Sequence, residues 1–177
     1  MTTTLHAGTA VIEAPFGTRD LRQVLGMYAT GVTVITTQGG REPYGMTANS
    51  FTGVSLDPPL VLVCAMSQAQ GAATISANGH FAVNVLTAEQ EAISHFFAYR
   101  NRPRGPDAFA EIPHHRLVTG APIINGAAAY LDCSLVAEYE VGDHTIFIGE
   151  VLALGAEPSA RPPLLFFAGG YQTLRPE

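Results

Sequence analysis

Apolar residues near the start of the chain recur once at the helical interval. Leu21, Val24, Leu25 and Tyr28 stand at i, i+3, i+4 and i+7, which predicts an amphipathic helix of about two turns, ended by Gly31. Residues 1–17 mix Gly, Thr and Pro without a sustained period and are expected to form a flexible N-terminal arm. Beyond Gly31 the pattern becomes that of strands. GVTVITT is rich in β-branched residues, and QGGRE after it is a turn signal. PYGMTANSFTGVSL alternates small, polar and apolar positions until Pro58-Pro59 interrupts it. LVLVCAM reads as a buried strand, residues 69–77 as weakly helical, and FAVNVL as a strand with Phe81, Val83 and Val85 on one face.

A second helix opens at Thr87, which has capping-box spacing to Gln90, and carries Ile93, Phe96 and Phe97 as its apolar stripe. RNRPRGPDAF has the Pro, Gly and charge content of a loop. The last third predicts long strands: AAAYLDCSLVAEYE, a turn at Gly142-Asp143, HTIFIGEVLAL and PLLFFAGGYQTL. Strands separated by turn signals, with few short helices and no βαβ rhythm, point to a mainly β fold, a closed or nearly closed antiparallel barrel. Without repeats or a compositional break, residues 18–177 read as a single domain.

The totals narrow the function. With 177 residues, 47% of them hydrophobic and only 14% charged, the chain can bury a core without staples. Net charge is −6, and every basic residue is an arginine. That argues against nucleic acid or a membrane surface as partner, and the lack of lysine excludes a Schiff base on this chain. Cys64 and Cys133 lie far apart and form no metal-ligand spacing, so no metal site is expected and each reads as a small core residue in a reducing compartment. The start MTTTLHAGTA lacks the features of a signal peptide, and no apolar run is long enough to cross a bilayer. The expected location is the cytoplasm.

No GxGxxG, Walker, GxSxG or paired-carboxylate pattern is present. Three segments can carry chemistry. MTANSFTGVSLDPP packs Thr47, Asn49, Ser50, Thr52 and Ser55 into nine positions, enough hydroxyl and amide to bind a ring edge or a phosphate. A plain polar strand facing water would look the same. In GDHTIFIGEV, His144 sits at the base of a strand and can act near neutral pH or donate a hydrogen bond, or it is an ordinary turn histidine. Arg100, Arg102 and Arg104 can hold a phosphate, or they decorate a solvated loop. His114-His115 on a strand would face opposite ways and cannot easily share a metal.

Taken together, LGMYATGVTVITT, YGMTANSFTGVSLDPPLVLVC, GHFAVNVLTAEQ, HFFA, GAPIING, AYLDC, GDHTIFIGEV and PLLFFAGGY, in this order and spacing, resemble the flavin reductase-like family over residues 18–174. The resemblance implies the FMN-binding split β-barrel with Greek-key antiparallel strands. It implies a homodimer with flavin near the subunit interface. It also implies an NAD(P)H:flavin oxidoreductase that supplies reduced FMN, or FAD, to a separate monooxygenase. The alternatives on the same barrel are a tightly held FMN in an oxidase-type enzyme and a non-catalytic flavin sensor.

The resemblance also distributes roles. Met46, Thr47, Ala48, Asn49, Ser50 and Phe51 would line the isoalloxazine and ribityl chain, with Thr47, Asn49 and Ser50 as polar contacts and the backbone of Ala48 and Phe51 at the ring edge. Thr30, Val32 and Thr33 match a segment that touches flavin. Ser55, Cys64, Ala65 and Ser67 fall where the phosphate end is held. Phe97 and Ala98 would stand near the ring. His144 would serve the nicotinamide side as the catalytic residue, orienting the ring rather than transferring a proton, and Tyr171 would be a late contact. AMSQAQGAAT departs from the family, which is often basic or hydroxyl-rich there. Ser67, Gln68 and Gln70 bring no charge, so Arg100, Arg102 or Arg104, from this subunit or the other, is expected to neutralise the phosphate.

Overall fold

The computed structural model describes residues 3–6, 9–39, 42–157 and 161–174. In chain order the elements are β1 (Thr3–His6), β2 (Thr9–Ile12), α1 (Thr18–Leu25), β3 (Thr30–Gly31), β4 (Thr33–Thr37), β5 (Tyr44–Ala48), β6 (Thr52–Leu56), β7 (Pro59–Met66), α2 (Gln70–Asn78), β8 (His80–Val85), α3 (Glu91–Ala98), β9 (His114–Arg116), β10 (Pro122–Ile124), β11 (Ala129–Val141), β12 (His144–Ala156), β13 (Leu164–Phe167) and β14 (Gly170–Thr173). Seven strands form one sheet in the order β5-β4-β8-β11-β12-β7-β6, antiparallel at every pairing.

The two outer strands of this sheet, β5 and β6, are consecutive in sequence and joined only by Asn49, Ser50 and Phe51. The sheet therefore curls until its edges meet. Ser50 ties the corner: its Oγ accepts the Cys64 N–H at 3.0 Å and donates to the Cys64 carbonyl at 3.1 Å. A small sheet, β14-β13-β3, is stitched to the barrel. The Val32 N–H donates to Leu164, Leu164 to Leu86 and Leu86 to Val32, at 2.9–3.1 Å.

Strand alternation builds two cores on opposite faces of the sheet. Inside lie Ile35, Val61, Val63, Phe81, Val83, Cys133 and Phe147, closed at one end by Ala72 and Ile75 of α2. Outside, Val32, Val34 and Leu86 pack with Phe97 of α3 and with Ala108 and Phe109 of a 3-10 turn over Gly105–Phe109. Gly149 is fixed by crowding, because a Cβ there would stand 2.6 Å from the Phe81 ring and 2.9 Å from Cys133 Cβ.

Two buried polar residues organise the outer layer. The Asn84 side chain donates to the Val34 carbonyl at 3.1 Å and to Thr36 Oγ1 at 3.2 Å, and accepts the Ile124 N–H at 2.7 Å. Asp132 is fully buried and accepts the Thr119 N–H at 2.9 Å and the Thr119 hydroxyl. Burial, aided by the neighbouring Asp132, pushes the Cys133 thiol up to about 12, which disfavours the reactive thiolate at ordinary pH. A disulfide reagent at pH 8 is expected to titrate Cys64 alone in the native protein and both cysteines after denaturation. A second native thiol would mean that the barrel opens readily.

Several sequence expectations need correction. The first helix begins at Thr18 and is capped by Gly26, so Tyr28 lies beyond it. No residue of α1 is buried, and its apolar stripe stays largely uncovered by the described residues. The N-terminal arm contains two antiparallel strands, β1 paired with β2, whose own pairing the Gly-Thr composition concealed. The arginine-rich loop includes the 3-10 turn, and strands β9 and β10, three residues each, were too short for a periodicity to reveal. The helical reading of 69–77 becomes α2, and at the second helix the Thr87 N–H donates to Gln90 Oε1 at 3.2 Å.

Candidate functional site

The seam between β5 and β6 runs along a trough of adjoining cavities. The central cleft, about 430 Å³, is lined by Met46, Thr47, Ala48, Asn49 and Ser50 along β5 and its connector, Cys64 and Ala65 of β7, Phe97 and Ala98 of α3, and His144. A neighbouring space of about 270 Å³ adds Val32, Phe166 and Tyr171. A third, about 940 Å³, lies beyond the connector and includes Thr30, Thr33 and Phe51. Asn49 lines all three. Ser55 and Ser67, by contrast, line none of them; Ser67 instead shares a 2.9 Å hydrogen bond with Thr145.

Proximity does not give every polar side chain the same freedom. Thr47 Oγ1 donates to the Ser94 carbonyl at 2.6 Å, Thr33 Oγ1 to the Ala48 carbonyl at 2.7 Å, and Ser50 holds Cys64 as described. These bonds commit each hydroxyl's proton to the fold, so toward a ligand the oxygens can only accept. Asn49 is exposed and its amide makes no hydrogen bond within the described residues. The backbone of β5 is also available, since an edge strand leaves half its N–H and C=O groups unpaired on the side away from β4. Tyr171 is held by a 2.7 Å bond to Ser94 Oγ and by edge-on contact with Phe166 and His95. Through Ser94, Thr47 and Tyr171 are coupled. The Thr30 hydroxyl is buried at the margin without a hydrogen-bond partner.

His144 opens β12 directly after the turn at Gly142, whose φ of 63° suits a residue without a Cβ. Its Nδ1 lies 2.7 Å from Asp143 Oδ1, and its side chain is 46% exposed. The hydrogen bond from His144, then its charge, holds the Asp143 carboxyl below the usual range. That pairing orients the imidazole at the cleft mouth. The lining also carries residues that sequence reasoning missed or only glimpsed: Met66, paired with His144 across β7 and β12, and Tyr44 and Arg102. The Arg102 guanidinium donates to the Tyr99 carbonyl at 2.8 Å and to the Gly45 carbonyl, and lies over the Tyr44 ring at 5.2 Å. The density of arginine in YRNRPR was the one signal for it; Tyr44 and Met66 had none.

Among the described residues no aspartate or glutamate lines the trough itself, with Asp143 standing behind His144 at its mouth, although the chain as a whole carries a charge of −6. The charged side chains at its walls are Arg22, Arg100 and Arg102. No set of three or more metal-ligating side chains occurs among the described residues. A flat, partly apolar cleft with an open strand edge and arginines at its ends fits a planar heterocycle that carries phosphate.

Comparison with known proteins agrees with that geometry. Residues 25–175 match the flavin reductase like domain family. The chain is 48% identical over 158 residues to the NADH-dependent FAD reductase of Streptomyces globisporus, covering 89% of this chain and 86% of that protein. It is 40% identical to the reductase subunit HsaB of a flavin-dependent monooxygenase from Mycobacterium tuberculosis, over 94% and 87% of the two chains. The solved structure of the NADH:FAD oxidoreductase SgcE6 of Streptomyces globisporus superposes with a TM-score of 0.87 at 44% identity, covering 95% of this chain and 99% of that one. This chain belongs to the flavin reductase-like family, and its barrel is the split barrel of that family.

Proposed function

We propose that this protein is an NAD(P)H:flavin oxidoreductase that delivers reduced flavin to a separate monooxygenase. The trough along an open strand edge carries the reading, because its apolar walls, unpaired strand backbone and arginines offer a planar anionic cofactor the contacts it needs. When bound, the flavin and the nicotinamide supply the redox chemistry themselves. The chain binds, orients and excludes water.

In this reading the Asn49 amide and the unpaired backbone of β5 hold the polar edge of the ring. Phe97 and Ala98 cover it from α3 and keep water out. Thr47 and Ser94 fix the cleft wall and, with it, Tyr171. Arg100 and Arg102 carry the counter-charge that Gln68 and Gln70 do not. His144, steered by Asp143, orients the nicotinamide at the mouth. His144→Ala is expected to raise the KM for NAD(P)H or slow reduction about tenfold, the cost of one lost polar contact, with flavin affinity unchanged. Loss of flavin binding instead would place His144 in the flavin's own site.

The active unit in this proposal is a homodimer. The exposed stripe of α1, with Leu21 at 44% and Val24 at 67% exposure, and Leu56 of β6 at 97%, are apolar surfaces of the sort that a second subunit covers. Sedimentation should return twice the chain mass. Among the described residues no helix is long and apolar enough to cross a membrane.

The test is NADH and NADPH oxidation followed at 340 nm under air with added FMN, FAD or riboflavin. Turnover that scales with free flavin supports a reductase with a diffusible flavin. Flavin binding without oxidation overturns the reductase and favours a sensor. Flavin retained through purification would favour an oxidase-type enzyme.

A further inference from the structure

Thr47 and Tyr171 line a common space, the cavity of about 270 Å³ that joins the central cleft through Thr47, Ala48, Asn49 and Ala98. Apart from Asn49 they are its polar side chains; Val32, Ala48, Ala98 and Phe166 complete the lining. Both hydroxyls are tied to Ser94, a fully buried residue in the middle of α3 that does not itself line the cavity.

The protons of these three hydroxyls can be assigned. Thr47 Oγ1 stands 2.6 Å from the Ser94 carbonyl, which can only accept. The Thr47 proton is therefore engaged there, and its lone pairs are left for a ligand. Ser94 Oγ and the Tyr171 hydroxyl lie 2.7 Å apart and hold two protons, of which their bond uses one. Ser94 Oγ makes no second hydrogen bond among the described residues. Were Tyr171 the donor, the Ser94 proton would be buried without an acceptor, an arrangement that folded proteins avoid because it forfeits solvation for nothing. With Ser94 as donor, the spare proton sits on Tyr171, which is only partly buried and lines the cavity. The carbonyl and the hydroxyl of one residue thus give the wall two opposite polarities, an acceptor at Thr47 and a donor at Tyr171.

We propose that Ser94 is a positioning residue that sets the hydrogen-bond polarity of this wall to match an amide edge, an N–H beside a C=O. The N–H meets Thr47 and the C=O meets Tyr171. The inference rests on the flavin-reductase reading of the cleft, because the pyrimidine ring of a flavin carries such an edge. The carboxamide of a nicotinamide carries one too, and the test separates the two sources.

The full-length protein is titrated with riboflavin by fluorescence, and the carbonyl stretch of the bound riboflavin is read by infrared spectroscopy, in wild type, Ser94→Ala, Tyr171→Phe and the double variant. A hydrogen bond lowers a carbonyl stretch, so the band responds to the Tyr171 proton and not to packing. Tyr171→Phe should weaken riboflavin about tenfold, the loss of one hydrogen bond, and raise the stretch. Ser94→Ala should do both to a smaller degree. The double variant should match Tyr171→Phe alone, because Ser94 acts through that hydroxyl. Weaker binding in Ser94→Ala with an unmoved stretch, or losses that add in the double variant, would overturn the proposal and leave Ser94 as packing alone. Unchanged riboflavin, with a KM for NADH raised by each single variant and no further by the double, would support the same polarity with the carboxamide as its occupant. No change in any of these quantities would overturn it. A wild type that binds no riboflavin would overturn the reading of the cleft, and this inference with it.

Discussion

Phe97→Ala is expected to destabilise the protein by about 3–5 kcal/mol, the usual cost of truncating a buried phenylalanine, and to weaken flavin binding at the same time. Phe97 is 1% exposed. Its ring stands edge-on to Phe96 at 5.1 Å, meets Phe109 at 5.2 Å and lies against Gly45, where a Cβ would come within 2.5 Å of it. The side chain therefore props α3 against the edge strand β5 while forming one wall of the central cleft. Urea unfolding gives the stability, and flavin titration well below the transition gives the affinity. Phe109→Ala separates the two effects. Phe109 belongs to the same cluster but does not line the cleft, so its loss should lower the unfolding midpoint and spare the flavin constant. If both variants bind flavin as the wild type does, Phe97 is packing alone.

The second large effect is expected at Asn84. Asn84→Ala should cost about 3 kcal/mol, because it strands several buried partners at once, and a buried polar group left unpaired costs about 1–3 kcal/mol. The Ile124 N–H loses its acceptor, and the Val34 carbonyl and Thr36 hydroxyl lose a donor. Asn84→Leu should do no better, since it restores volume but neither bond. Thermal melts check this, and flavin affinity at low temperature should hold, as Asn84 is engaged with β4 and β10 and lines none of the cavities of the trough. A loss below 1 kcal/mol would mean that β10 shifts to satisfy itself.

Much of the fold was legible because its signals are local. GVTVITT, LVLVCAM and FAVNVL declared their strands through β-branching and alternation, and Gly142-Asp143 declared its hairpin. The signals failed where structure depends on partners distant in sequence. β9 and β10 exist because each supplies the other's ladder. The paired strands β1 and β2 have no hydrophobic period to announce them. The apolar period of α1 was read correctly as amphipathic, yet it does not point into this chain's core. At the site, the family resemblance gathered β5, α3 and His144 into one cleft, but not the division of labour within MTANS. Residue type marks Thr47, Asn49 and Ser50 as equally able to bind a ligand. Only the fold reveals that Thr47 is engaged by Ser94 and Ser50 by Cys64, leaving Asn49 free.

The connector Asn49-Ser50-Phe51 is both a wall of the cleft and the join between the first and last strands of the rolled sheet. A ligand seated there spans the place where the barrel would begin to unzip. Binding therefore adds to the cohesion of the whole cylinder and not merely to one loop, by an amount set by ligand concentration relative to its dissociation constant. If the ligand leaves each cycle, as the proposed function requires, the cylinder's resistance to unzipping then rises and falls with turnover. Amide exchange along β5 and β6 becomes a meter of how much of the population is loaded at any moment.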